Sequence, residues 1–356
     1  METKQEKHEQ QEQQIDKRYS RQTLFSPIGE SGQRKLGSAK VAIVGMGALG
    51  TVLANHIVRA GVGYVRLIDR DFVETSNLQR QMLYDEQDAY NNAPKAEAAA
   101  ERLRAVNSLI TIEAHVTDLN STNAEKLLDG VDLVLDGTDN FSVRFLINDT
   151  CTKLCVPWIY GGAVASRGVA LTIVPGQTPC LRCLFPQAPA AGTMDTCDTA
   201  GVIGGIIHVV ASFQATEALK LLVGDTDHLN LNMQQWDLWF NQSSSIKVAS
   251  ARKEDCPACA LQQFEYLHAQ HESETIQTLC GRDTVQILPL QEQNFSLEAW
   301  EARLAALGPV QRNRFLLRFQ AKPNLALVLF PNGRVLIQGT SDVIKAKNLY
   351  ARYIGM

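Results

Sequence analysis

Three groups of residues carry chemistry by type and spacing. Gly45-x-Gly47-x-x-Gly50 follows the short apolar run 41–44 and precedes a helical stretch that ends near Ala60. Glycines in that setting let backbone approach a phosphate, while the helix N-terminus offers N–H donors and a positive dipole. Asp69 ends the next strand, 64–69, where a carboxylate accepts hydrogen bonds from ribose hydroxyls. These features suit NAD, FAD or ATP alike.

Arg80, in Asn77-Leu78-Gln79-Arg80-Gln81, and Lys95, in Asn92-Ala93-Pro94-Lys95, follow closely behind that strand. Thr138-Asp139-Asn140 lies just past the end of a later one, on the ligand edge of such a sheet. Several long cations have little use in binding one pyrophosphate for hydride transfer. An enzyme that expels pyrophosphate from ATP needs them, because charge builds on the leaving oxygens. Asp139 is then placed to hold Mg²⁺ among those phosphates.

The third group is cysteine. Cys180-x-x-Cys183 and Cys256-x-x-Cys259 are two of the spaced pairs that together supply four thiolates to a closed, tetrahedral structural zinc. Cys197 stands apart, just ahead of a helix whose positive end favours thiolate. Cys151 and Cys155, four apart on a helix, read as small core residues. Cys280 is isolated and reads as structural, and His208, inside an apolar helix, as a core histidine.

Strands alternate with helices from residue 41 to about 160: strands at 110–116, 131–136 and 156–160, helices from Pro94 and over 143–154. This pattern predicts an α/β fold, a Rossmann-like, doubly wound and mostly parallel sheet. Residues 176–200, rich in Pro, Gly, Ala and Thr, read as a long surface crossing that zinc would pin to the main domain. A helix over 203–223 and strands near Met233 and Ser245 complete this domain, bounded as 18–262. Residues 1–17 form a polar tail too poor in apolar groups to order itself. Residues 278–356 form a small α+β domain: a strand near Val285, a helix over 297–307, strands at Phe315 and Leu325, a hairpin at Pro331-Asn332-Gly333 and a helix over 342–353.

The chain of 356 residues has a net charge of −4, which argues against a general nucleic-acid binder. No run approaches the roughly 18 uninterrupted apolar residues of a membrane span, and the first residues lack a signal-peptide h-region. The expectation is a cytoplasmic protein with no membrane partner.

Arg18-Tyr19-Ser20-Arg21-Gln22, the glycine loop, Asp69-Arg70-Asp71, Ser76 to Gln81, Pro94-Lys95 and Thr138-Asp139-Asn140 together resemble the ThiF/MoeB/HesA adenylyltransferases, bacterial relatives of the ubiquitin-activating enzymes. The resemblance covers roughly residues 18–260. It implies Mg-ATP-dependent adenylation of the C-terminal glycine carboxylate of a ubiquitin-like sulfur carrier ending in Gly-Gly. It further implies that Asp69 holds the ribose, Asn77 contacts the phosphates, and Arg80 and Lys95 neutralise them. Asp139 would bind Mg²⁺, the four paired cysteines Zn²⁺, and Arg21 would reach into the partner's site of a homodimer. Asp71 and Gln81 rank below these, and Arg18 reads only as an exposed charge. ThiF-type members use a cysteine at the position of Cys197 in sulfur transfer, with a cysteine desulfurase as a candidate sulfur donor.

The C-terminal domain carries no catalytic constellation; its pattern, with the string 196–201, is similar to ThiF-type enzymes of thiamine-thiazole synthesis. The alternatives are a molybdopterin-synthase (MoeB-like) adenylyltransferase, which differs in its carrier, an NAD(P)-dependent oxidoreductase and a non-catalytic scaffold. Arg80 and Lys95 argue against the oxidoreductase, and retention of every phosphate-facing position argues against the scaffold.

Overall fold

A computed structural model describes residues 17–187, 200–268, 276–279, 283–288 and 295–354. The polar tail up to residue 16, Cys197 and Cys280 lie outside the described residues. The chain divides into two compact units, 1–269 and 270–356.

The first unit is built on an eight-stranded sheet in the order β3-β2-β1-β4-β5-β6-β7-β8. Strands β1 (Lys40–Val44), β2 (Tyr64–Ile68), β3 (Thr111–His115), β4 (Leu133–Asp136) and β5 (Trp158–Val164) run parallel. The remaining three, β6 (Arg167–Ile173), β7 (Met233–Asp237) and β8 (Gln242–Ile246), add antiparallel. The sheet is thus the mostly parallel one that the sequence pattern predicts, with an antiparallel extension of three strands at one edge. Strand β6 escapes the pattern because β5 runs on through Gly161 and Gly162 into a two-residue turn at Ala165-Ser166, and β6 carries Gly168. Glycine weakens a strand signal, yet close approach explains it here. A Cβ on Gly168 would stand 2.4 Å from Val210, and one on Gly161 2.4 Å from Gln214, both on the helix Gly204–Val223.

That helix is long and apolar enough to cross a membrane by length and composition, and half of its apolar window is buried. It packs on β5, β6 and the helix Ala48–Ala60 as a core element. His208 nonetheless lies on its exposed side, not in the core. The helix Phe141–Leu154 packs on the other sheet face, among Phe145, Ile147, Trp158 and Leu171. Cys151 is buried there, whereas Cys155 ends the helix exposed and left-handed, with φ 56°. Pro94 is the N-cap rather than the first residue of the helix Lys95–Val106.

The stretch 178–183 of the expected surface crossing is not surface. Thr178, Cys180, Leu181, Arg182 and Cys183 are all buried. The far end is tied down as well: Gly201 accepts from the Ala165 N–H (2.8 Å) and Ile203 donates to the Ala165 carbonyl (2.9 Å), forming a bridge between Ala165 and Val202.

The second unit is a six-stranded antiparallel sheet in the order β11-β12-β13-β14-β10-β9, with two helices among the described residues. Its strands are β9 (Ile276–Leu279), β10 (Thr284–Ile287), β11 (Val310–Arg312), β12 (Leu317–Lys322), β13 (Leu325–Leu329) and β14 (Val335–Gln338). The core contains Val285, Leu304, Phe319, Leu327 and Ile337. Phe315 precedes β12 because Asn313 Oδ1 accepts from the Phe315 and Leu316 N–H groups, holding a turn there.

Candidate functional site

The loop glycines are glycine for different reasons. Gly45 has φ 86°, and a Cβ there would meet the Gly137 backbone at 2.9 Å; a Cβ on Gly50 would lie 1.8 Å from the Gly45 carbonyl oxygen. Both are fixed by contact within the protein, with Gly137 as a third member that the motif reading misses. A Cβ on Gly47 would meet nothing nearer than Gln81 Nε2, at 3.9 Å. Gly47 is the N-cap of the helix Ala48–Ala60, so the open space lies where a helix N-terminus receives an anion.

Asp69 closes on this loop. Its Oδ2 accepts from the Met46 N–H and its Oδ1 from the Asp71 N–H, each at 2.6 Å. Expected as the ribose acceptor, Asp69 thus also fixes the loop, and each oxygen keeps a second lone pair. Burial pushes its carboxyl above the usual range, against the pull of Lys95. Lys95 is 2% exposed, with Nζ 3.5 Å from Asp71 Oδ2. The Tyr84 hydroxyl, 2.7 Å from the Met46 carbonyl and 3.1 Å from that of Lys95, ties the loop to this helix start.

Asn77 is buried, its Oδ1 accepting from the Glu74 N–H (3.1 Å) to cap the short 3₁₀ turn Thr75–Asn77. Arg80 donates from Nη1 to the Ser76 carbonyl at 2.9 Å. Gln81 Nε2 near Gly47 brings this segment up to the glycine loop.

Asp139 is exposed, two residues beyond Gly137. Its loop is shaped by a buried pair absent from the sequence reading. Asp136 Oδ1 accepts from the N–H (2.9 Å) and hydroxyl (2.7 Å) of Thr138, and its Oδ2 faces Arg144 Nε. Arg144 Nη2 reaches the carbonyls of Thr138 (2.7 Å) and Gly161 (3.0 Å). Burial raises the Asp136 carboxyl while Arg144 opposes it.

Arg21 stands off from this cluster, exposed on the helical turn 17–23. Its neighbours fasten that turn to the unit. Tyr19 is buried and receives Asn107 Nδ2 (2.9 Å), Gln22 Nε2 donates to the Ala60 carbonyl (2.8 Å), and Arg18 caps the Val106 carbonyl (3.0 Å). Arg18, the exposed charge expected, thus also donates to the last carbonyl of the helix Lys95–Val106. Leu24 and Phe25, next along the chain, are 73% and 60% exposed.

The four cysteines meet. Cys180, Cys183, Cys256 and Cys259 place their sulfurs within 4.8 Å of one another. Tetrahedral Zn–S bonds of about 2.3 Å set sulfurs about 3.8 Å apart; the pairs Cys180–Cys256, Cys183–Cys259 and Cys180–Cys183 are at 3.6, 3.5 and 3.9 Å. The thiol donor set and its spacing fit zinc. A hydrogen bond from Cys180 lowers the Cys183 thiol from its ordinary range. The knuckle hangs on the helix Phe141–Leu154: Asn148 Oδ1 accepts from the Leu181 N–H (2.8 Å), and Asp149 Oδ2 from the Tyr266 N–H (2.9 Å). Arg182, between the first two cysteines, pairs with Glu265 at 2.9 Å and lies over the rings of Phe145 and Tyr266.

Residues 19–258 match the ThiF family. The chain is 43% identical to the sulfur carrier protein ThiS adenylyltransferase of Bacillus subtilis, over 95% of this chain and 99% of that one. It is 40% identical to the sulfur carrier protein adenylyltransferase of Thermus thermophilus, over 68% of this chain and 90% of the relative. Among solved structures, E. coli MccB with ATP superposes with a TM-score of 0.60 at 25% identity, covering 68% of this chain and 74% of that one.

Proposed function

The chain belongs to the ThiF family, and from that premise we propose that it is an ATP-dependent adenylyltransferase of a ThiS-like sulfur carrier in thiamine-thiazole synthesis. The observation that carries this reading is the identity of 43% over 95% of the chain to a ThiS adenylyltransferase, a span that takes in the C-terminal unit.

ATP lays its phosphates at the helix N-terminus beside Gly47, where the missing side chain leaves room. Arg80 and Lys95 neutralise them, Asp69 takes the ribose, and Asn77 borders the phosphates. Asp139, exposed at the end of β4, is free to face Mg²⁺; that ion, when bound, screens the phosphate charge. The carrier's C-terminal glycine carboxylate attacks the α-phosphorus. The bond to the bridging oxygen breaks and pyrophosphate leaves with its electron pair. No general base is required, because the carboxylate is already ionised. Positioning and charge neutralisation supply the rate. AMP then departs when a sulfur nucleophile takes the acyl carbon, the stage assigned to Cys197 and a cysteine-desulfurase donor.

The fastened turn that carries Arg21 outward, followed by exposed Leu24 and Phe25, supports a homodimer in which Arg21 completes the partner's site. Zinc at the four cysteines pins the crossing to the sheet.

Pyrophosphate exchange with purified carriers tests the reading. Exchange is expected with a ThiS-like carrier, and its loss on deleting the terminal glycine. Exchange only with a molybdopterin-synthase carrier would reassign the pathway, and none with either would end the proposal. Cys197→Ser should keep exchange while slowing thiazole formation.

A further inference from the structure

Asp71 and Lys95 lie 24 residues apart in sequence and are held side by side by the backbone. The Lys95 N–H donates to the Asp71 carbonyl (2.8 Å) and the Val73 N–H to the Ala93 carbonyl (2.8 Å), about an antiparallel bridge between Phe72 and Pro94. The stretch leaving β2 is thus locked to the start of the helix Lys95–Val106. The Asp71 carboxylate is divided between two cations: Oδ2 stands 3.5 Å from Lys95 Nζ, and Oδ1 3.8 Å from Arg70 Nε. Arg70 is moored in turn to Asp118, with Nη1 2.9 Å from Oδ2.

An ammonium carries three donors and no acceptor. Lys220 shows how a lysine is engaged when it serves the fold: its Nζ donates to Glu217 Oε1 (2.5 Å) and to the His228 carbonyl (2.9 Å). Lys95 is buried, at 2% exposure. Among the described residues, Asp71 Oδ2 is nevertheless the one oxygen within hydrogen-bond reach of its Nζ, and at the outer limit of that reach. Such a contact is close enough to orient the ammonium by charge, and loose enough to leave donors for an arriving anion.

We propose that Asp71 is a positioning residue for the adenylation step, acting on the nucleotide only through Lys95. The inference rests on the ATP reading above. The carboxylate gives the buried ammonium a counter-charge and a direction, so that its remaining donors face the oxygens on which charge builds as pyrophosphate leaves. In the ground state Asp71 also competes with the phosphates for Lys95. Its loss therefore shows in kcat rather than in KM for ATP.

Carrier-dependent pyrophosphate exchange by the full-length wild type, Asp71→Asn, Lys95→Met and the double variant, with calorimetric titration of adenosine, decides it. Asp71→Asn keeps the shape and loses the charge. It should lower kcat about tenfold, which corresponds to one hydrogen bond to a charged group, and leave KM for ATP within about twofold. In the Lys95→Met background the same substitution should cost nothing further. Adenosine, which has no phosphate, should bind Asp71→Asn as it binds wild type. The Asp71 N–H holds Asp69, the expected ribose acceptor, so a side chain that merely shaped this segment would weaken adenosine too. Exchange by Asp71→Asn within about twofold of wild type would overturn the proposal, as would lost adenosine affinity or a further loss in the Lys95→Met background. Should Lys95→Met exchange too slowly to compare, the adenosine titration separates the two roles. A wild type that exchanges with neither carrier would overturn the function proposed above, whereas intact exchange in Asp71→Asn removes only the part given to Asp71.

Discussion

Arg144 Nε lies 3.1 Å from Asp136 Oδ2, a buried ion pair beneath the loop that presents Asp139. Removing one member of such a pair leaves an uncompensated charge and costs about 3–5 kcal/mol. Arg144→Met should lose stability on that scale in urea unfolding. The double variant Asp136→Asn/Arg144→Met should recover part of it while adenylation stays low, because Arg144 no longer holds the Thr138 carbonyl. Full activity in the double variant would show that the pair does not position Asp139.

Gly47 and Gly50 should respond oppositely to alanine. A Cβ on Gly50 collides with the Gly45 carbonyl, so Gly50→Ala should fail to fold or melt far lower. A Cβ on Gly47 enters open space, so Gly47→Ala should cost stability by no more than about 1 kcal/mol. Its ATP affinity should fall sharply. Unchanged ATP binding in Gly47→Ala would remove the phosphate from that space.

Metal analysis of protein purified without added zinc should find about one equivalent per chain. Cys256→Ser should lose the metal and, at a cost of about 3 kcal/mol, melt about 6–12 °C lower. Retention of metal and melting point together would remove zinc from the knuckle.

If Arg21 acts in trans, mixing Arg21→Ala with Lys95→Ala chains should restore activity. Random exchange makes half the dimers mixed, each with one intact site, so about a quarter of the wild-type activity should return. No recovery after demonstrated exchange would place Arg21 in its own site or in none.

Burial lifts the Asp149 carboxyl from 3.8 to about 6. The folded state therefore holds a proton that the unfolded chain has released, and stability falls as pH rises through this window, levelling off above it. Asp149→Asn carries no such titration. Relative to wild type it should gain stability between pH 4 and 6, by up to about 3 kcal/mol, and keep the gain at pH 7. A difference independent of pH would show that Asp149 is not raised.

The parallel half of the sheet is legible because each of its strands is an apolar run ended by a turn or a helix start, and because the glycine loop marks the first crossover. Residues 158–173 are harder to read, since Gly161, Gly162 and Gly168 serve the close approach of a helix that lies far on in sequence. In the site, Lys95, Asp69 and the cysteines announce themselves by type and spacing. Asp136 and Arg144 do not: an arginine on a helix reads as a solvated face, and only folding shows it at 5% exposure beneath Thr138.

The bridge between Ala165 and Val202 sets a reach for the chain before it. Cys197 precedes Val202 by five residues, so covalent geometry alone keeps it within about 17 Å of that anchor, whatever path lies between. If Cys197 takes the acyl group of a carrier bound within that reach, the two meet at an effective concentration in the millimolar range or above. Capture of such a group is then an intramolecular event, with a rate indifferent to how dilute the enzyme is.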